Sequence, residues 1–245
     1  SVVPFNHKAH EAANESCRVC HHADLNACVS CHTPGGVEKG QYVNLQDSMH
    51  RVKAQSSCVG CHASIQQMDG ACAGCHQSIP ASASLNQEGC ISCHMQVPAG
   101  YDLKSDDKLL AKMLLNSRQA VRGAFAPADI PEVVEIKALS NQFDGVKLPH
   151  RKIVNKLVAG AEKSDLAAYF HRDPGTICQG CHHNSPASTK PPKCVSCHGK
   201  PFDERDAFKP GLMAAYHIQC MDCHQAMKIQ QPVSTNCTGC HRAKQ

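Results

Sequence analysis

The sequence predicts a mostly irregular chain of short α-helices with little β structure, folded around material that is not polypeptide. Three observations predict it. Aromatic residues make up 4% of the 245 and Trp is absent, so the large side chains that normally dominate a core are scarce. Cysteine occurs 18 times. All of these cysteines fall in one pattern, Cys-x-x-Cys-His, repeated between turns rich in Gly, Pro, Ser and Gln.

The repeats in the first part of the chain are Cys17, Cys20 and His21; Cys28, Cys31 and His32; Cys58, Cys61 and His62; Cys72, Cys75 and His76; and Cys90, Cys93 and His94. After a long gap come Cys178, Cys181 and His182; Cys194, Cys197 and His198; Cys220, Cys223 and His224; and Cys237, Cys240 and His241. They are numbered 1 to 9 in that order. Two thiols three positions apart match the two vinyl groups of one porphyrin, and the next residue reaches under the ring to give its imidazole to the iron. Zinc explains the pattern poorly: it takes two Cys pairs per ion, and neither zinc nor a redox disulfide needs His after the second Cys. Chance placement of nine such His has a probability on the order of 10⁻¹⁰. The motifs therefore imply nine covalently attached c-type haems, one per about 27 residues. Such attachment occurs outside the cytoplasm, so a periplasmic or cell-surface location is expected, and the opening Ser1-Val2-Val3-Pro4 reads as a processed start.

Composition narrows the partners. The formal charge of +4 hints at an acidic partner. Nine haems with their propionates would shift it to about −5 oxidised and about −14 reduced, coupling redox state to proton uptake. Nucleic acid is then not an expected partner, because it needs a net basic surface. No apolar run approaches the roughly 20 residues of a membrane span.

Between motifs 5 and 6 the chain reads as ordinary polypeptide. Leu109, Leu110, Met113, Leu114 and Val121 recur at helical spacing after Ser105, Asp106 and Asp107, and Pro127 and Pro131 end that helix. A second helix is expected over Val133, Val134, Ile136 and Leu139 before the turn at Asp144 and Gly145, and a third over residues 151–159, ending near Gly160. Ser164 caps a fourth that carries His171 at its carboxy end. Elsewhere short helices should open several motifs, with at most a small hairpin.

Beyond the nine proximal His, eight remain: His7, His10, His22, His50, His150, His171, His183 and His217. Eight distal candidates for nine irons point to bis-imidazole ligation, with one ligand short. His22 and His183 directly follow a proximal His, while His50 and His217 each lie shortly before a motif. Such recurrence points to duplication.

Phe5-Asn6-His7-Lys8-Ala9-His10, then Cys-x-x-Cys-His-His, a second motif, Met49-His50 and further motifs, resemble a tetrahaem cytochrome c3 module, and the second half resembles another. The order is similar to the nine-haem cytochromes c of sulfate-reducing bacteria and to the carboxy-terminal half of their sixteen-haem high-molecular-mass cytochrome. The stretch from Pro210 to Cys220 is especially similar. The resemblance implies a multihaem cytochrome c fold: a module over 1–80 with haems 1–4, a helical connector over 81–147 carrying haem 5, and a module over 148–245 with haems 6–9. It further implies that His7 faces haem 1, His10 haem 3, His22 haem 2, His50 haem 4, His183 haem 7 and His217 haem 9.

That leaves His150 and His171 for haems 5, 6 and 8. The second module begins Pro149-His150-Arg151-Lys152-Ile153, with Ile153 where the second distal His should stand. The leading assignment gives His150 to haem 6 and His171 to haem 5, leaving haem 8 without a distal His. The alternatives leave haem 5 or haem 6 open, or let a Met, a Lys or the α-amino group complete the site. The implied function is electron transfer rather than enzymatic turnover, in the periplasm and in sulfate respiration. Periplasmic hydrogenase, a tetrahaem cytochrome c3 or both would be donors, and a transmembrane redox complex the acceptor. The alternatives are reduction of nitrite or hydroxylamine at a five-coordinate haem, and a conducting filament.

Overall fold

The structure, a computed structural model, describes residues 1–76, 87–101, 107–118, 127–138, 140, 142–171, 173–200, 204–206 and 209–244. Short helices dominate it: α1 (His7–Ala13), α2 (Leu45–His50), α3 (Cys58–Met68), α4 (Gly70–His76), α5 (Gln87–Ile91), α6 (Asp107–Ser117), α7 (His150–Glu162), α8 (Asp165–Phe170), α9 (Pro174–Gln179), α10 (Cys194–His198) and α11 (Leu212–Ala226). The sole sheet among the described residues is a hairpin of β1 (Val134–Ile136) and β2 (Val146–Leu148).

Several helices start at a side-chain cap. Asn6 accepts from the Ala9 N–H, Asn44 from Asp47 and Ser164 from Ala167. Each cap satisfies a donor that the first helical turn leaves free. Ser57 does more. Its hydroxyl, 2% exposed, accepts from Gly60 N–H at 2.9 Å and donates to the Arg51 carbonyl at 2.6 Å, joining the end of α2 to the start of α3.

The connector departs from its sequence reading. The helix expected over Val133, Val134 and Ile136 is instead β1, antiparallel to β2 in the register Val134 with Leu148. Val134 and Ile136 are part-buried while Glu135 is exposed, so the period is two. β-Branched residues, stiff at χ1, fit that pleat better than a helical turn. In α6 the buried residues are Leu110 and Leu114, whereas Leu109 and Met113 are exposed. Ser105, Asp106, Val121 and Leu139 lie outside the described residues. The third and fourth expected helices correspond to α7, which runs on past Gly160 to Glu162, and α8, with Ser164 as its N-cap and His171 as its C-cap.

Two isolated antiparallel bridges close the chain on itself. Val2 pairs with Met95, and Phe143 pairs with Ala243. In each case a residue just past a Cys-x-x-Cys-His motif is tied to the segment leading into the next group of distal His. The polypeptide's own core is small: among the described residues its buried apolar members are Ala73, Leu110, Leu114, Ile130, Ala168 and Leu212.

Candidate functional site

Each Cys-x-x-Cys-His motif folds as a helical turn, whichever element contains it. His21, His32, His94, His182 and His241 each donate their backbone N–H to the carbonyl of the first Cys of the motif, at 2.8–2.9 Å. The second Cys is drawn into the same turn. Cys20, Cys31 and Cys240 donate their N–H to Cys17, Cys28 and Cys237 at 3.2–3.3 Å, and Cys61 donates to the capping residue Ser57 at 3.0 Å. Motif 3 opens α3, motif 4 lies within α4, motif 7 forms α10 with Cys194 and Cys197 one turn apart, and motif 8 lies in α11. Such a turn brings residues i, i+3 and i+4 to one face, so both thiols and the imidazole look the same way. Val19, Val29, Ile91, Val195 and Met221, all inside motifs, are exposed, adding apolar surface around the thiols.

Several imidazoles are held by Nδ1. Among the proximal His, His32, His182, His198 and His224 have Nδ1 at 2.7–3.1 Å from the carbonyls of Val43, Pro192, Pro210 and Pro232. Among the distal candidates, His10 within α1, His50 at the end of α2 and His171 just after α8 reach back four residues to the carbonyls of Asn6, Gln46 and Ala167. His7 Nδ1 meets the Glu11 carboxylate at 3.1 Å instead. A carbonyl must accept, so it fixes the proton on Nδ1 and leaves Nε2 as a lone-pair donor.

The rings come together in pairs, whether or not their Nδ1 is held. Ring centroids are 6.2 Å apart for His7 and His21, 6.4 Å for His10 and His62, 5.8 Å for His22 and His32, and 5.9 Å for His50 and His94. In the rest of the chain they are 5.9 Å for His76 and His171, 6.4 Å for His150 and His182, 5.9 Å for His183 and His198, and 5.9 Å for His217 and His241. Two imidazoles on opposite faces of one metal ion, each nitrogen about 2 Å from it, put their centroids about 6 Å apart. Among the described residues no third His, Cys, Asp or Glu joins any pair to make a protein-only metal site. The pairs thus fit an ion whose other four donors come from a macrocycle.

The thiols fit the same group, though not all in one setting. None of the cysteines is in a disulfide. The two thiols of a motif are not equally covered: Cys31 and Cys61 are part-buried beside exposed Cys28 and Cys58, whereas Cys197 is exposed beside part-buried Cys194. In motif 9 both Cys237 and Cys240 are exposed, as are Cys17 and Cys20 in motif 1. Expected alike from their spacing, the pairs therefore range from the surface to the joint between the halves. Burial, reinforced by neighbouring thiols, pushes Cys75 up to about 11. For Cys31, Cys61, Cys197 and Cys240 the argument for haem is the shared turn and the imidazole beside it, since no metal-binding cluster of protein groups forms around them among the described residues. Burial also depresses His62 and His76, in each case helped by the facing imidazole, so both rings stay neutral and able to donate.

Two expected pairings are corrected. His50 faces His94 of motif 5 and not His76 of motif 4, while His171 faces His76 and not His94. The backbone explains the exchange. The Val2–Met95 bridge returns motif 5 to the amino-terminal segment, within reach of α2, whereas α4 packs on α11 in the second half of the chain. The other distal candidates, His7, His10, His22, His150, His183 and His217, face the motifs expected for them. His224 is the imidazole left over: among the described residues no second imidazole faces it.

The two halves meet closely at motifs 4, 6 and 8. A Cβ on Gly74 would stand 3.3 Å from Cys223 Sγ and collide with Met227, and one on Gly180 would stand 3.1 Å from Cys75 Sγ. These glycines let the attachment loops touch across the halves.

The comparisons agree with this geometry. The model of the class III cytochrome c family matches residues 1–94 and 149–244. The chain belongs to that family. Class III cytochromes c carry c-type haem, and this one has the multihaem cytochrome c fold, mostly helical and irregular with a small two-stranded sheet. Over 99% of its length it is 45% identical to the high-molecular-weight cytochrome c of Nitratidesulfovibrio vulgaris, covering 46% of that protein. It is 36% identical to the nine-heme cytochrome c of Desulfovibrio desulfuricans, covering 98% of this chain and 79% of that one. The sixteen heme cytochrome from Desulfovibrio gigas matches at a TM-score of 0.88 and 40% identity, over 98% of this chain and 48% of that structure. The chain spans about half the length of the high-molecular-weight relative. Among the described residues no helix of this class III cytochrome c is long and apolar enough to cross a membrane.

Phe5, Phe143 and Phe170 pack on paired imidazoles, and of these the sequence marked only Phe5, within Phe5-Asn6-His7-Lys8-Ala9-His10. Phe5 lies 4.4 Å from His10, Phe143 lies 5.1 Å from His241, and Phe170 meets His62 edge-on at 5.6 Å.

Proposed function

We propose that the chain holds nine c-type haems and passes low-potential electrons in the periplasm of a sulfate-respiring cell. Periplasmic hydrogenase, directly or through a tetrahaem cytochrome c3, is the proposed donor and a transmembrane redox complex the acceptor. Haem supplies a reversible one-electron iron couple. The polypeptide supplies axial ligands, rigid spacing and apolar cover. The observation that carries this reading is that sixteen of the seventeen imidazoles face one another in pairs. A site held on both axial faces leaves no position for substrate and needs little rearrangement when an electron arrives, which suits transfer.

The ligand plan also supports a revised module boundary. Motifs 1, 2, 3 and 5 share the plan of motifs 6, 7, 8 and 9, and the bridges Val2–Met95 and Phe143–Ala243 close the two sets alike. We infer that the additional haem is haem 4, between the modules, and not haem 5. Its proximal His76 comes from α4, its distal His171 from α8, and its attachment loop touches motifs 6 and 8 through Gly74 and Gly180. It is thereby the crossing point from one module to the other.

The test is reduction under hydrogen by periplasmic hydrogenase, with and without tetrahaem cytochrome c3, of protein whose intact mass corresponds to nine haems. Rapid reduction of the full haem absorbance supports the reading. Reduction no faster than in the absence of hydrogenase, or halting at half the absorbance, would count against it.

A second reading rests on His224. With no distal His, haem 8 is five-coordinate and open to nitrite or hydroxylamine. Turnover by the reduced protein faster than by free haem would favour it over pure transfer.

A further inference from the structure

Arg118 stands apart from the other cations of this chain. It is 6% exposed, at the carboxy end of α6, and with Ser57 it makes up the buried polar or charged residues among those described. Its guanidinium donates to the carbonyls of Ile91 and Ser92, the two residues between Cys90 and Cys93. Its Cζ lies 5.2 Å from the centroid of the Tyr169 ring on α8, as in a cation–π contact. Its Nε has no hydrogen-bond partner, and no carboxylate among the described residues pairs with it.

A buried cation is costly unless something answers its charge. Here two carbonyl dipoles and a ring face answer part of it, and the Nε–H remains free for an acidic group such as a haem propionate. The charge reaches the attachment loop directly, because both carbonyls that it meets lie between Cys90 and Cys93. Arginine stays protonated at any pH at which the fold exists, so this is a fixed charge.

We propose that Arg118 is a redox-tuning residue that holds a permanent positive charge against haem 5 and raises its reduction potential. The sign follows from electrostatics. Oxidised haem carries one more positive charge than reduced haem, so a nearby cation disfavours the oxidised form, and low local polarity amplifies the effect. Arg118 also ties three segments together, namely α6, the motif 5 loop and α8. The residue that tunes haem 5 therefore touches the helix that supplies His171 to haem 4, and a haem 5 of higher potential than haem 4 would draw electrons from the joint into the first module.

This inference rests on a haem at Cys90 and Cys93 with His50 and His94 as axial ligands. A wild-type mass of only eight haems, with Cys90 and Cys93 unmodified, would overturn that reading itself. With nine haems present, the test is potentiometric titration followed by EPR, tracking the low-spin signal of haem 5 in Arg118→Gln and Arg118→Lys. Arg118→Gln should lower the haem 5 midpoint more than that of any other haem. Arg118→Lys, which keeps the charge but loses the paired donors, should restore most of it. An unchanged midpoint in Arg118→Gln overturns the proposal, and so does an equal fall in both variants, which would mark a purely structural role. If Arg118→Gln does not load haem 5, Tyr169→Glu tests the same charge by pairing it in place: a lowered midpoint supports tuning, and an unaltered one refutes it.

Discussion

In the first module, His7 and His10 stand three residues apart on α1 and face His21 and His62. In the second, His150 and Ile153 stand at the same spacing on α7. His150 faces His182, and His224 faces no imidazole among the described residues. The remaining plan agrees between them: His22 with His32 answers His183 with His198, and His50 with His94 answers His217 with His241. One side chain therefore separates two sets of imidazole pairs that otherwise share a plan, and under the proposed ligation it changes the chemistry open to one iron. A duplicated scaffold can turn a carrier site into an open site without rebuilding the fold.

The largest expected effect comes from exchanging that side chain. The wild-type ferric protein should show one high-spin haem by EPR, and its reduced form should bind carbon monoxide at one site. Ile153→His should remove both signatures, and His10→Ile should create a second high-spin haem, at motif 3. If Ile153→His leaves the high-spin signal intact, the correspondence between the modules breaks at this residue.

Next in size is the joint between the modules. His171 belongs to the second half by sequence, yet it faces His76, and Phe170 beside it packs on His62. His171→Ala should make haem 4 high-spin and slow electron passage between the modules by roughly tenfold or more, equivalent to about 1.4 kcal/mol on the barrier. Stopped-flow reduction would separate this from loss of ligation alone: a high-spin haem 4 with unchanged inter-module kinetics would place the crossing elsewhere.

A smaller difference distinguishes the last haem of each module. The imidazole planes of His50 and His94 lie 6° apart, and those of His217 and His241 lie 47° apart. Near-parallel axial imidazoles split the low-spin iron orbitals more strongly, so haem 5 should give a more rhombic EPR signal than haem 9. Deleting either distal ligand and watching which signal disappears assigns the two; matching signals would remove the distinction.

The sequence made much of this legible because covalent attachment is written locally. Cys-x-x-Cys-His spans one turn, so the site and its geometry are fixed within five residues. How deeply each thiol sits was not legible: Cys197 and Cys240 are exposed while Cys31 and Cys61 are part-buried, because the cover comes from segments outside the motif. His171 at the end of a Ser164-capped helix could be read for the same local reason as the motifs. The pairing of His50 and His171 could not, because the iron a distal imidazole faces depends on how distant segments fold back, here through Val2 and Met95. The hairpin was misread because a few apolar residues fit either period, and a long-range partner, Val146–Leu148, decides between them. Arg118 gave no sign at all: one Arg beside a connector helix reads as a solvated charge until its neighbours are known.

The smallest effect tests how the modules build the same approach to motif 3 or 8 from different helices. In the first module His50 and Cys58 are eight positions apart, and the chain breaks into α2 and α3, joined by Ser57. In the second, His217 and Cys220 are three residues apart and α11 runs through both without a cap between them. Ser57→Ala removes the cap on the Gly60 N–H and one of the two hydrogen bonds at the Arg51 carbonyl, which keeps the Ala54 N–H, at a cost of about 1 kcal/mol. The holoprotein should melt a few degrees lower, with the loss of protection in hydrogen exchange confined to α2 and α3. A cooperative loss extending equally into α11 would mean that the modules unfold as one unit, and that the contact of motifs 4 and 8 at Gly74 couples them mechanically as well as electronically.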